Sequence, residues 1–400
     1  RKYLYGGNDV EQDFSQALVL FLAEAKTGNA LAMYDLGRMC ADGLGCEADP
    51  ESAKDWYRKA LTAFLVAERT AKERKLPYLW YRIGKMYAAG LGTEHKVSGT
   101  EGAGEENLGR DYASAAAWFS KAVSQNHKYA QYSLAGLYYR GQGVEQDFSQ
   151  AFLLYQLSAK QGNPYASYEL AKMLGDGIGT DPDPWQAKEQ FEKAFIGFSA
   201  LERESHDDKL QYRLGWMLHT GTGTEKDEER AAEYWKQAAQ LGNIHAQYAL
   251  GKLWLTNGAG NLKQAVEWIE KAAEAGNGAA QYAMAKIYRD GEHVSKDIGK
   301  AVNLFTLSAE QGNGYAAYQL GKLYLAGEEI PKDVQAAVRW MEAAAEKGNS
   351  YARYALGKLY LCGKDVPYNK EKAVFYLQAS AEQGNMYAQI LLEHMGSFHN

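Results

Sequence analysis

The residues with which chemistry would begin in this chain are eight histidines, three cysteines and a recurring Gly-x-Gly pattern. The histidines are His95, His127, His206, His219, His245, His293, His394 and His399, and no two stand at a metal-ligand spacing such as HxxxH. Cys40, Cys46 and Cys362 form no CxxC pair, which argues against a disulfide framework or a zinc site and fits a reducing cytoplasm. Gly141-Gln-Gly143 and Gly177-Ile-Gly179 resemble phosphate loops but lack a preceding strand and a following Lys-Ser/Thr. The acidic residues fall at helix starts and on polar faces, so no nucleophile, base and acid assemble into a set. These observations lead to the expectation of a non-enzymatic chain with no catalytic residue, no metal and no cofactor. The formal net charge of −6 disfavours a surface that coats nucleic acid, and no apolar run approaches the ~20 residues of a membrane span.

The elements that would position these residues are announced by repetition. The octapeptide VEQDFSQA occurs at 10–17 and again at 144–151, and the flanking sequences stay in register. Inside this duplicated block lies a shorter unit, marked by Tyr282, Tyr318 and Tyr354 at a spacing of thirty-six residues and by Tyr34, Tyr81, Tyr132, Tyr168, Tyr212 and Tyr248 upstream. Each unit reads as two antiparallel helices. Helix A carries an Ala, Tyr, Leu, Gly stripe and stops at Gly43, Gly90, Gly141, Gly177, Gly221, Gly291, Gly327 or Gly363, with Asn257 in the equivalent slot of the remaining unit. Helix B opens at Asp or Asn, from Asp13 and Asp49 to Asp333 and Asn369, and carries an Ala four residues later. Large aromatic and small residues then alternate along helix B until a Gly-Asn pair such as Gly162-Asn163 or Gly276-Asn277.

The frame YAAYQLGKLYLAGEEIPKDVQAAVRWMEAAAEKGN resembles the Sel-1-like repeat, a relative of the tetratricopeptide repeat, and the resemblance runs through essentially the whole chain. It implies an all-α, right-handed α-α superhelical solenoid of about ten helix pairs, forming a single array over residues 1–400. Arg1-Lys2-Tyr3-Leu4-Tyr5-Gly6-Gly7 matches the tail of a helix A, so the array is expected to start in mid-repeat, and its other end suits either a capping helix or a cut. Three segments depart from the period. Residues 93–110 lengthen one A-to-B turn with Gly, Ser and charge and read as a flexible insertion, while segments near 61–78 and 195–210 lengthen helix B.

The resemblance places helix A along a concave groove. By helical angle from the Leu36 and Cys40 positions, Tyr34 and Arg38 face that groove, and the pattern recurs as Tyr81 with Lys85, Tyr168 with Lys172, Tyr248 with Lys252, Tyr282 with Lys286, Tyr318 with Lys322 and Tyr354 with Lys358. One turn earlier stand Tyr78, Tyr129, Tyr165, Tyr315, Tyr351 and Tyr387. The tyrosines suit either stacking between neighbouring A helices or contact with a ligand. Trp216, His219 and Arg289, with Leu255 and Tyr139, occupy variable positions suited to specificity. The resulting expectation is a cytoplasmic scaffold that binds a protein or peptide partner of acidic character, without membrane or nucleic acid. Similar arrays are attached to MobA/MobL-type mobilisation relaxases, which offers the alternative of a docking module in a bacterial DNA-processing protein. A hydrolase is a further alternative, but it would need two carboxylates converging where the pattern places Lys and Tyr.

Overall fold

The computed structural model describes residues 2–5, 13–93, 109–258 and 262–397, and among these it is helical throughout, without strands. The chain divides into two compact units. The first comprises residues up to Leu210 together with Trp216–Glu228, and the second comprises Gln211–Gly215 together with Glu229 onward. Within each unit consecutive helices pack as A and B pairs, such as Lys128–Arg140 with Phe148–Lys160 in the first and Gly314–Ala326 with Val334–Glu346 in the second. This is the all-α solenoid class that the sequence period implies.

Local chemistry sets the helix ends. The Asp147 carboxylate accepts from the Gln150 N–H at 2.9 Å and the Asp333 carboxylate from the Ala336 N–H at 2.9 Å, so each satisfies a backbone donor that a helix start leaves open. The cap residue's own N–H reaches back to the preceding A helix, as from Asp183 to the Leu174 carbonyl at 2.8 Å, which folds the turn onto the helix it leaves. A helices begin on asparagine in the same way, Asn277 accepting from Ala280 and Asn349 from Ala352. They end on glycine in the left-handed conformation, for example Gly177 at φ 68°. The reading fails at one stop: helix Ile244–Asn257 includes Asn257 as its last helical residue, and the left-handed position at φ 62° belongs to Gly258. Asn tolerates this conformation, but the glycine beside it adopts it without the Cβ penalty.

Two B helices are longer than the thirteen residues usual here. Pro50–Thr70 runs for 21 residues and Pro184–Ser205 for 22. After the first, a short 3₁₀ turn at Glu73–Lys75 leads into helix Leu76–Ala89, so the extension stops short of residue 78. Most of the 93–110 insertion lies outside the described residues. Its base is closed by the Thr93 hydroxyl, which donates to the Gly109 carbonyl at 2.6 Å.

The core runs between the helix layers. The alanines at the fourth position after each cap, such as Ala115, Ala151, Ala265, Ala301 and Ala373, are fully buried, and they admit the large residues that follow, including Phe119 and Phe305. Neighbouring repeats are also joined by buried hydrogen bonds. The Ser158 hydroxyl donates to the Lys128 carbonyl at 2.7 Å and accepts from the Asn163 side-chain amide at 2.9 Å. In the second unit Ser308 and Asn313 repeat the arrangement on the Gly278 carbonyl, at 2.7 and 3.0 Å. Each buried hydroxyl thus finds both an acceptor and a donor, as a polar group removed from water requires.

Candidate functional site

The recurring helix-A tyrosines are half-buried. On one side each ring meets a large residue of its own repeat: Tyr34 meets Tyr57 at 5.6 Å between centroids, Tyr81 meets Phe119 at 6.1 Å, Tyr168 meets Phe191 at 5.4 Å, and Tyr282 meets Phe305 at 5.9 Å. On the other side it touches the first-turn tyrosine of the next A helix. In the first unit Tyr81 lies 6.0 Å from Tyr129 and Tyr132 lies 6.0 Å from Tyr165. In the second, Tyr282 lies 6.4 Å from Tyr315, Tyr318 6.4 Å from Tyr351, and Tyr354 6.1 Å from Tyr387. The tyrosines therefore bridge successive A helices as well as forming a surface, at separations where aromatic pairs attract beyond their buried area. Tyr248 packs against the core formed around Met284 and Phe305.

This double contact desolvates the phenols. Burial pushes the Tyr81 hydroxyl up to about 12, with the Arg82 guanidinium acting in the opposite direction, and burial also raises Tyr248, Tyr282 and Tyr318. At neutral pH these rings present neutral hydroxyls able both to donate and to accept. Their first-turn neighbours are more open: Tyr315, Tyr351 and Tyr387 are each more than half exposed.

The lysines one turn further along, Lys85 and Lys172 in the first unit and Lys252, Lys286, Lys322 and Lys358 in the second, are all exposed. Their surroundings differ. Lys172 meets the Glu169 carboxylate at 3.1 Å; burial alone would lower its pKa, but that pair outweighs it and leaves the ammonium raised. Lys322 lies over the Tyr318 ring at 5.7 Å. Although the Lys85 side chain reaches solvent along its length, surrounding protein desolvates its ammonium, and this, followed by the Arg82 charge, pushes its pKa down.

The variable positions are more constrained than their sequence context suggests. The Arg289 guanidinium forks onto the Asp290 carboxylate at 2.7 Å through both Nε and Nη2, while Nη1 donates to Gln319 at 2.9 Å. It is a strut between adjacent A helices. In the first unit, Trp216 is 46 % exposed with its ring 6.3 Å from His219, whose Nδ1 lies 3.9 Å from the Glu228 carboxylate. Among the described residues no three His, Cys, Asp or Glu side chains converge as a metal site, and no helix is long and apolar enough to cross a membrane.

Two arrangements escape a reading of repeats. His127 replaces asparagine as the start of helix Lys128–Arg140: its Nδ1 accepts from the Ala130 N–H at 3.2 Å, and its ring stacks on Tyr81 at 4.9 Å. A cavity of about 430 Å³ also opens beside Gly136, which stands where most other A helices carry the ladder lysine or arginine. The absence of that side chain was the legible signal.

The Sel1 repeat model matches residues 3–23, 30–63, 99–127, 128–163, 164–195, 209–243, 244–277, 278–313, 314–349 and 350–385. Among solved structures, the protective antigen c5321 of uropathogenic Escherichia coli, described as displaying an SLR fold, is similar with 30% identity and a TM-score of 0.54, over 98% of this chain and 77% of that one. A Sel1 repeat protein from Oxalobacter formigenes is similar with 25% identity and a TM-score of 0.53, over 83% of this chain and 93% of that one. The match extends through both units and coincides with the observed helix pairs, and the chain belongs to the Sel1 repeat family.

Proposed function

We propose that the protein is a non-enzymatic scaffold whose A-helix face docks a protein or peptide partner carrying acidic side chains. The observation that carries this reading is the succession of exposed lysines, each one turn beyond a half-buried tyrosine, in consecutive A helices of the second unit. Half-buried rings held on both sides supply rigid contact area at little entropic cost, and the lysines supply charge of one sign along the same face. Membership of a repeat family suited to protein association agrees with this role. We favour the scaffold over the relaxase alternative, which requires a nicking domain outside these repeats, and over a hydrolase, for which no carboxylate pair is set among the ladder residues.

The test is the triple substitution Lys286→Ala, Lys322→Ala and Lys358→Ala. A partner is first identified by crosslinking in the native host, and its affinity is then measured with purified components. The variant is expected to bind at least about fivefold more weakly while its Tm stays nearly constant, because exposed lysines contribute little to folding. The affinity difference should shrink as salt shortens the Debye length below about 10 Å. Equal affinity of variant and parent at low salt would remove the cationic face from the account.

A further inference from the structure

In the cavity beside Gly136, several cations of the first unit line a single concavity. Its wall contains Lys85 from helix Leu76–Ala89, Arg110 from the segment before helix Tyr112–Ser124, and Arg140 from the end of helix Lys128–Arg140, interleaved with the hydroxyl-bearing Tyr112 and Tyr132. No Asp or Glu lines it, and among the described residues none of the three cations pairs with a carboxylate. Their hydrogen bonds go to neutral groups instead. Arg110 donates to the Tyr112 hydroxyl at 3.3 Å, and Arg140 donates through Nε to the Gln142 side-chain carbonyl at 2.9 Å. The nearby Glu169 is already engaged by Lys172.

The cavity has a specific cause in the sequence. At position 136 the repeat places glycine where Lys85, Lys172, Lys252 and Lys286 stand in other A helices. A Cβ there would lie 3.0 Å from Nη2 of Arg140 and 3.5 Å from the Tyr155 hydroxyl. Omitting the side chain lets the Arg140 guanidinium lie close against the helix backbone, at the edge of a recess that Gly136 also lines.

We infer that this recess receives a phosphate monoester on a side chain of a docked peptide, with Lys85, Arg110 and Arg140 as its cationic partners. Three positive charges, with no carboxylate among the described residues that line the recess, match a group that carries ≈ −1.5 to −2 charge near neutral pH and three acceptor oxygens better than a single carboxylate. Two of the three cations are guanidinium groups, whose planar forks bind phosphate oxygens two at a time. An anion placed beside the Lys85 ammonium would offset the desolvation and the Arg82 charge that depress it. The inference deepens the scaffold reading and rests on it only in assigning the phosphate to a peptide.

The experiment uses the full chain and two small probes, N-acetyl-O-phosphoserine methylamide and N-acetyl-aspartate methylamide, titrated calorimetrically at low ionic strength. The phosphoserine probe is expected to bind at least tenfold more tightly than the aspartate probe. Arg140→Gln and Lys85→Gln should each weaken it at least fivefold, and Gly136→Leu, which displaces the Arg140 guanidinium and crowds the recess without removing charge, should abolish binding. Lys54→Gln, on a B helix and paired with Glu51, should leave it unchanged. Circular dichroism and Tm establish that each variant is folded; should Gly136→Leu unfold, the two charge variants decide the matter. Equal affinity for both probes, or undiminished binding by Arg140→Gln and Lys85→Gln, would overturn the assignment. The titration contains no partner protein and uses a site in the first unit, so its failure leaves the triple-lysine test of the second unit standing, and the reverse also holds.

Discussion

A histidine that begins a helix does so only while its acceptor nitrogen is unprotonated. His127 accepts from Ala130 through Nδ1, its ring lies against Tyr81 and near Tyr129, and the adjacent charge is Lys128. Burial, and secondarily the Lys128 ammonium, hold its pKa below the ordinary 6.5. The unfolded chain therefore takes up a proton near 6.5 while the folded chain does not, so stability falls as pH drops from about 6.5 through the lowered folded value. His127→Asn restores the cap used by other A helices and removes the titration. We expect the parent to lose stability between pH 6.5 and 5 relative to this variant, measured by urea denaturation across that range; parallel pH profiles would contradict the proposed cap. In the sequence His127 reads as one more turn histidine, because Asn126-His127 replaces the Gly-Asn pair that marks this boundary elsewhere. Arg289 was visible as a departure from the pattern, but its acceptor Gln319 lies thirty residues away, beyond what local spacing discloses.

At the scale of the helix, the glycine in the middle of helix A calls for a physical reason, because it costs roughly 1 kcal/mol against alanine in a helix interior. The reason is the approach of helix B. A Cβ on Gly84 would sit 2.7 Å from the Phe119 ring, and Phe119 is held in the core of its repeat. Gly84→Ala therefore gains helix propensity but forces the pair apart. Overpacking typically costs about 1–3 kcal/mol, and a 2.7 Å approach to a ring fixed in the core belongs to the upper part of that range. After the propensity gain, a net destabilisation of about 1–2 kcal/mol is therefore expected in chemical denaturation. A neutral or stabilising result would mean that the interface yields more readily than its packing implies. Much of this element level was legible: capping Asp and Asn, left-handed glycines and the small-large alternation all act within a few residues, so their physics is written locally. The stop at Gly258 was placed one residue early because Asn257 and Gly258 both tolerate the required backbone, and the choice between them depends on how the helix closes.

Each repeat meets the repeats beside it, and this governs how either unit should respond to losing one. Removal of Gly314–Asn349, one full period in the second unit, joins Asn313 to Ser350 and thus recreates the Asn-to-helix junction found at Asn349. Ser380 retains its bond to the Ser350 carbonyl at 2.7 Å, and Ser308 retains its bond to Gly278. The shortened protein is expected to keep its helical circular dichroism per residue and to lose no more than about 10 °C in Tm, since an array's stability is a sum of repeat and nearest-neighbour terms. Collapse of the helical signal would show that distant repeats support one another. The lawfulness of such junctions also bears on how the chain could have arisen. The two copies of VEQDFSQA place Asp13 and Asp147 at nearly the same backbone angles, φ −140° with ψ 97° and φ −144° with ψ 99°, each capping its helix through a glutamine N–H at 2.9 Å. A genetic exchange slipped from one copy to the other adds or deletes whole repeats in phase, and every new seam inherits a joint that already folds. Length thus becomes a heritable variable that recombination can change in a single step.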